Sequence, residues 1–424
     1  MELIKNMVVR VMNRAVADYL KRNNVKVIAV VGSIGKTSTT HAIRTVLSQR
    51  YRVHFPKTTY NTNRSVHLEL FDLPFATSVK GWIGQVGKVL SLTQGKAPYE
   101  VVVVEVGTDH PGELQSFAWL KPQIGVLTAI APEHMEHFKT IEAVAKEELS
   151  VATFADKLAF NANTVPQKYV KDDISDRVLW YGKGSDTHAE KYRLEHNIVK
   201  ADFTVAGYPL PNVELQVLGE HSLDALCAAA TVATMLEDVT LEQVEAGIRT
   251  VKPVKGRMQR LVGVDGSIII DDSYNSSPQA VKAALDVLGQ FDVPQRIAVL
   301  GSMNEMGDYS EQAHKEVGEY CDPSFLNLVV TIGKEANEYL APAAEAQGCT
   351  VKQFESPYTA GKFIREAMRP GAAMLFKGSQ NGVFAEEAVK SVLADKTDST
   401  LLPRQSDYWM NIKRKQFKDA PKAA

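Results

Sequence analysis

Val27-Ile28-Ala29-Val30-Val31-Gly32-Ser33-Ile34-Gly35-Lys36-Thr37-Ser38-Thr39-Thr40 is the stretch on which the reading of this chain turns. A β-branched apolar run stops at a glycine and opens into a polar segment, Ser38 to Ser48, which predicts a strand, a tight loop and a helix. Such a loop cradles phosphate. Gly32 and Gly35, with Ser33 between them, let the backbone approach an anion. The helix N-terminus, opened by Thr37 and Ser38, offers unpaired N–H groups and a partial positive charge. Lys36 can reach terminal phosphates, and the Thr37 hydroxyl can take a Mg²⁺. The first glycine of the full Walker pattern is Val30 here, so the loop is a shortened form. A chance glycine turn is the bland alternative, and the placement between strand and helix weighs against it.

Working outward, Val101-Val102-Val103-Val104-Glu105-Val106-Gly107 is the continuous apolar run of a buried parallel strand, broken by one carboxylate at its C-terminal end. The phosphate loop also sits at that edge of a parallel sheet, which makes Glu105 a candidate ligand for Mg²⁺ or its water, against a salt-bridged structural Glu. The next strand, Ile124 to Ala129, runs into Pro132-Glu133-His134-Met135-Glu136-His137. The third ligand of a HExxH-type zinc site is missing, so a single His facing phosphates is the expected reading. Lys57 to Asn63 is polar and turn-rich, either a cover for a nucleotide or an ordinary connector.

The chain has 424 residues, 45% apolar and 23% charged, with a formal net charge of -2. That length predicts more than one domain, and that charge gives no push toward nucleic acid. Cys227, Cys321 and Cys349 stand far apart in no metal spacing, which suggests reduced thiols in a cytoplasmic enzyme. Small-molecule substrates and a monomeric state are expected as well. No apolar run approaches the ~20 residues of a membrane helix. Residues 1–24 form an amphipathic helix with Lys5, Arg10, Arg14, Lys21 and Arg22 among its apolar positions. It either docks on its own protein or lies on a membrane surface.

From Arg193 to Gly219 the spacing alternates, predicting a small antiparallel patch, followed by helices Ala225–Met235 and Leu241–Thr250. Lys252-Pro253-Val254-Lys255-Gly256-Arg257 reads as a joint. Beyond it strands and helices alternate again: strands 267–271, 296–300, 328–332 and 374–377, and helices 278–288, 310–321, 336–346 and 384–393. This predicts a second, mostly parallel sheet over 253–395 after a first domain over 25–252. The tail 396–424 is polar and basic, and a partly ordered end is expected, with its Pro-Arg-Gln-Ser and Tyr-Trp able to dock back.

Taken together, Gly32 to Ser38, Glu105 within Glu-Val-Gly-Thr-Asp-His-Pro-Gly-Glu, Glu-His-Met-Glu at 133–136, Lys-Gly-Arg at 255–257, Asp-Asp-Ser-Tyr-Asn-Ser-Ser-Pro at 271–278 and Leu-Gly-Ser-Met-Asn-Glu-Met-Gly at 300–307 resemble the Mur ligase family. Within it they look like the branch that adds D-alanyl-D-alanine to a UDP-muramoyl tripeptide. The resemblance implies a P-loop central domain and a Rossmann-like C-terminal lid. It also implies an N-terminal substrate domain, for which only about two dozen residues precede the first strand.

The implied activity is ATP-driven amide synthesis through an acyl phosphate, in peptidoglycan building. By the same resemblance Lys36 holds the β- and γ-phosphates, Thr37 and Glu105 bind the first Mg²⁺, and His134 binds a second. Arg257 reaches the γ-phosphate, Asp272 the ribose, and Tyr274 and Asn275 close on the nucleotide. Many family members carry a carbamylated lysine where this chain has Glu148, so Glu148 is expected to supply its carboxylate directly. Lys146, about 200° round the helix, is not expected to substitute. Ser302, Gln380 and Ala129 replace the family's usual Asp, Arg and Asn, and Asp224 stands where an adenine-contacting Asn is common. A P-loop phosphotransferase and a nucleotide-binding scaffold without ligase activity remain alternatives. The complete set of Lys36, Thr37, Glu105 and His134 argues against the scaffold.

Overall fold

The computed structural model describes residues 2–56, 62, 65–74, 79–132, 134–195, 198–304, 306–380 and 382–420. Apart from Thr62, the polar stretch 57–63 lies outside them. The chain forms two compact units, one of Met1–Arg193, Lys200–Gln216 and Ser222–Lys252, the other of Leu194–Val199, Val217–His221 and Pro253–Ala424.

In the first unit, β1 (Lys26–Val31), β2 (Val101–Glu105), β3 (Ile124–Leu127), β4 (Lys157–Asn161) and β5 (Val178–Tyr181) make a sheet of order β2-β1-β3-β4-β5. All its pairings are parallel. Every residue of β2 is buried, as expected for a strand covered on both faces. Helix α1 (Glu2–Arg22) docks on its own unit, since Val9, Met12, Val16, Tyr19 and Leu20 share one core with β1 and β2 residues. Each such side chain contributes about 1.5–3 kcal/mol when fully buried. Helix α2 (Lys36–Leu47) packs against helices Leu223–Met235 and Leu241–Thr250. A Cβ on Gly247 would lie 2.7 Å from the Val46 Cα, so glycine sets how closely the last helix approaches.

The strands β6 (His188–Glu195), β7 (Ile198–Val205) and β8 (Tyr208–Leu215) form a separate sheet in that order. Ala206 (φ 48) and Gly207 (φ 82) join β7 to β8, and two positive φ values in a two-residue loop define the tight turn of an antiparallel hairpin.

The second unit holds β9 (Gln259–Val262), β10 (Ile268–Asp272), β11 (Arg296–Gly301), β12 (Leu328–Ile332), β13 (Val351–Phe354) and β14 (Ala373–Lys377), in the order β13-β12-β11-β14-β10-β9. Only β9 runs antiparallel to its neighbour. The expected α/β architecture, a parallel sheet, a small antiparallel sheet and a second, mixed C-terminal sheet, is what the chain adopts.

Some local expectations are corrected. The helix expected over 384–393 is an α-helix only at Glu386–Val389. That over 336–346 begins as a π-turn, Ala336–Leu340, before Ala341–Ala346. The tail is not loose: helix Asp407–Gln416 docks through Lys413, which is 0% exposed and ion-paired to both Glu386 and Glu387.

Candidate active site

Parallel pairing aligns Val30 of β1 with Glu105 of β2 and Val31 with Leu127 of β3, so three strand ends converge on the glycine loop. The loop is fastened to the β3 side. Ser33 N–H donates to Ala129 O (3.0 Å), Ala131 N–H donates to Ser33 Oγ (3.1 Å), and Thr128 Oγ1 donates to Ile34 O (2.6 Å). Gly32 has φ +127, and a Cβ there would sit 2.3 Å from Thr128 Oγ1 and 2.8 Å from Ala129 N. Gly35, at φ 87, is the N-cap residue of α2. Lys36 folds back over the loop and donates to Gly32 O, while Thr37 and Ser38 are half-buried on the first helical turn.

Glu105 is 6% exposed, and its Oε2 has no hydrogen-bond partner. The buried cation that feels its charge, Arg44, bonds instead to Glu69 (2.7 Å) and Val103 O (2.5 Å). A buried carboxylate oxygen without a donor is costly unless a cation neutralises it. Beside a glycine loop at a helix N-terminus, that environment fits Mg²⁺. Among the described residues, no group of three or more His, Cys, Asp or Glu forms a ready metal cage. Mg²⁺ needs none, because it keeps waters and phosphate oxygens in its shell.

His134 stands at the N-cap of the short helix Met135–Phe138 in the left-handed region (φ 49, ψ 40), an uncommon conformation for a side-chain-bearing residue. Its Nε2 lies 3.4 Å from Asp109 Oδ1. The loop carrying Asp109 is held by two carboxylates. Glu113 accepts from Asp109 N (2.9 Å) and His110 N (3.1 Å), and Glu147 accepts from Gly112 N (2.6 Å), Leu114 N (2.7 Å) and Thr108 Oγ1 (3.3 Å). Glu148, at the end of helix Ile141–Glu148, is 3% exposed rather than a solvated helix carboxylate, and Lys146 is exposed.

The second unit gathers another set at the C-terminal end of β10. Asp272 pairs with Lys377 from the neighbouring end of β14 (2.5 Å) and accepts from Met258 N (3.1 Å). Lys377 also donates to Asn275 O (3.1 Å). The Arg257 guanidinium lies over the Tyr274 ring at 4.5 Å, and its Nε is buried without a partner. Tyr274 and Asn275 themselves are exposed. Asp272, Tyr274, Asn275 and Arg257 are therefore brought together.

Two family models match: the Mur ligase middle domain over residues 30–233, and the Mur ligase, glutamate ligase domain, over residues 256–380. The two together span well over half of the sequence. The chain belongs to the Mur ligase family. Among curated relatives, the UDP-N-acetylmuramoyl-tripeptide--D-alanyl-D-alanine ligase of Bacillus subtilis is 28% identical over 386 residues, covering 88% of this chain and 77% of that one. Among solved structures, MurF from Acinetobacter baumannii has TM-score 0.70 at 22% identity, covering 88% of this chain and 78% of that one. MurF ligase from Thermotoga maritima, in complex with ADP, has TM-score 0.68 at 21% identity, covering 90% and 83%. At those identities the structural likenesses speak for the fold.

Two of the positions that the resemblance singles out, Ser302 and Gln380, lie together. Ser302 follows β11, and its Oγ accepts from Ala336 N (3.1 Å). Ser379 N donates to Ser302 O (3.3 Å), and Asn304 ties the two loops through Ser379 Oγ (2.9 Å) and Gln380 O (2.5 Å). Ser302 and Gln380 thus border one patch of the second unit. In the first unit, Asp224 accepts from Asn161 Nδ2 (3.0 Å) and Asn163 Nδ2 (2.6 Å).

Lys377, Glu147 and Arg404, whose guanidinium grips the buried Glu386 carboxylate at 2.9 and 2.7 Å, are candidates that the motif reading did not single out. Lys377 had a signal, a charge ending an otherwise apolar buried strand, as at Glu105. The other two are recognisable only from partners far away in sequence.

Proposed function

We propose that this Mur ligase is an ATP-dependent carboxylate–amine ligase of the cytoplasm that works as a monomer. Its carboxylate substrate is a UDP-muramoyl peptide, and its amine is D-alanyl-D-alanine or a related amino compound. The relatives named for that reaction support the substrate class. The single observation that carries the chemistry is the buried, unpartnered Glu105 oxygen at the strand end beside a glycine loop that has no room for a Cβ at Gly32.

In this reading Gly32, Ser33, Gly35 and the first turn of α2 bind the phosphates, and Lys36 leaves Gly32 O to neutralise the β- and γ-oxygens. Thr37, Glu105 and His134 are the residues that would hold magnesium. When bound, Mg²⁺ supplies charge neutralisation to the phosphates. Glu148 would supply its buried carboxyl group where relatives use a carbamate. Asp272, Tyr274 and Asn275 serve the nucleoside, and Arg257 offers its guanidinium to the phosphate.

The substrate carboxylate oxygen attacks the γ-phosphorus, and the bond to ADP breaks. The amine nitrogen then attacks the acyl carbon and loses a proton, and phosphate leaves with one former carboxylate oxygen. No protein nucleophile is needed, because positioning and charge neutralisation carry phosphoryl transfer. ADP release that requires Mg²⁺, the UDP-muramoyl peptide and the amine together supports this reading. Turnover to a stable phosphorylated product without any amine would instead make the protein a phosphotransferase.

Met7, Arg10, Val11 and Arg14 form an exposed stripe on α1, and an anionic lipid surface is the partner that fits their mixed apolar and basic character. Among the described residues, no helix is long and apolar enough to cross a membrane. Failure to sediment with anionic vesicles would remove the lipid contact.

A further inference from the structure

The segment from Thr400 to Phe417 makes a chain of buried polar contacts that the proposed reaction does not use. Arg404 is 9% exposed and spends its whole guanidinium on the second unit. Nη1 donates to Tyr274 O (2.8 Å) and Nη2 to Ser273 O (2.6 Å). Nε and Nη2 grip the two oxygens of Glu386 at 2.9 and 2.7 Å. The guanidinium also lies over the Tyr274 ring at 5.5 Å, so that ring has the cations of Arg257 and Arg404 near it. Glu386 is fully buried and is shared with Lys413 of the tail helix (2.8 Å), which donates in turn to Arg404 O (2.9 Å).

The same segment reaches the Lys-Gly-Arg stretch. Lys255 Nζ donates to Thr400 O (2.7 Å), and a Cβ on Gly256 would lie 2.8 Å from Pro403 Cγ. Gly256 O accepts from Tyr274 N (3.0 Å), which links the two stretches that the tail holds.

We infer that the tail is a strap over the second unit, with Arg404 as a positioning residue that fixes the Ser273–Tyr274 peptides and, through Gly256, Arg257. Two carbonyls, a carboxylate and a ring are organised by one planar fork, and a lysine at that position cannot reproduce this geometry. The strap's purpose, presenting Tyr274 and Asn275 to an adenine nucleotide, rests on the ligase reading. Its mechanical part, holding the loop, does not.

The test compares the full chain with Arg404→Lys, which keeps a cation beside Glu386, and with Leu402→Ala, which removes a side chain that is 2% exposed and belongs to the apolar core of the second unit. Hydrogen exchange of peptides spanning 271–277 and MgADP affinity by calorimetry are the readouts, with thermal melting to match the two variants for stability. Arg404→Lys is expected to speed exchange in that loop and to weaken MgADP roughly tenfold, about 1.4 kcal/mol. Leu402→Ala is expected to lower the melting temperature while leaving both readouts near wild type. Unchanged exchange in Arg404→Lys, or equal effects in both variants, overturns the strap. A wild-type chain that binds no adenine nucleotide sinks the ligase reading, while exchange alone still decides the strap.

Discussion

Asp271 offers a perturbation whose size follows from the structure. It is 0% exposed, its Oδ1 accepts from Ser273 N (3.2 Å), and its Oδ2 has no hydrogen-bond partner. Burial, with the charges of Glu386 and Asp272 adding to it, pushes the carboxyl up from 3.8 to about 7. The folded pKa is thus raised above the unfolded one, so the protonated form is favoured in the fold. The associated stability is complete below about pH 4 and is lost as pH rises to about 7.

At 1.36 kcal/mol per unit the full loss is roughly 4 kcal/mol, of which about 3 kcal/mol falls between about pH 5 and about pH 8.5. Asp271→Asn keeps the acceptor for Ser273 and cannot ionise. Its stability relative to wild type should therefore rise by about 3 kcal/mol across that interval. Urea unfolding followed by Trp409 fluorescence, in a background with Trp82, Trp119 and Trp180 changed to Phe, reads the second unit by itself. Parallel pH profiles for the two proteins would refute the reasoning.

Other outcomes follow from the first unit. Gly32→Ala puts a Cβ against Thr128 and Ala129 at φ +127, so calorimetry should find MgADP binding weakened roughly 10- to 100-fold. Affinity within twofold of wild type would mean that the loop is no cradle. Glu105→Gln keeps the shape but removes the charge, and kcat should fall roughly 10²- to 10³-fold with a shifted Mg²⁺ requirement. An unaltered Mg²⁺ titration would take Glu105 out of the metal site. Glu148→Gln should reduce turnover far more than the exposed Lys146→Gln, and bicarbonate should have no effect on the wild-type rate. Stimulation by bicarbonate would point to a carbamate on another side chain.

The strand, glycine loop and helix, and the burial of Glu105, were legible because their signals are local: a β-branched run, two glycines, and a charge that an otherwise apolar strand tolerates only for a reason. The antiparallel patch announced itself through alternation, though the turn expected at Gly207-Tyr208-Pro209 falls at Ala206-Gly207, and Tyr208 and Pro209 already belong to β8. Edge elements did not. β13 has Lys352 and Gln353 exposed, so it shows neither an apolar run nor a clean alternation. The following helix Pro357–Ala367 went unread as well. The tail was legible in part, since Pro-Arg-Gln-Ser and Tyr-Trp could dock back, but a basic segment looks solvated until Lys413 and Arg404 meet Glu386 and Glu387, which lie 18 or more residues away. Pairing at that distance leaves no periodic trace. Glu147 was hidden likewise, since its neighbour Glu148 is also a carboxylate and only the fold shows that Glu147 holds the 108–114 loop.

The central claim is that a carboxylate is activated by phosphoryl transfer and then captured by an amine. The most direct measurement supplies the UDP-muramoyl peptide with ¹⁸O in its acceptor carboxylate, together with ATP, Mg²⁺ and D-alanyl-D-alanine, and weighs the inorganic phosphate released. The account predicts phosphate carrying one ¹⁸O atom and an amide product that has lost one. Phosphate released with no ¹⁸O, at a rate indifferent to the amine, would contradict it.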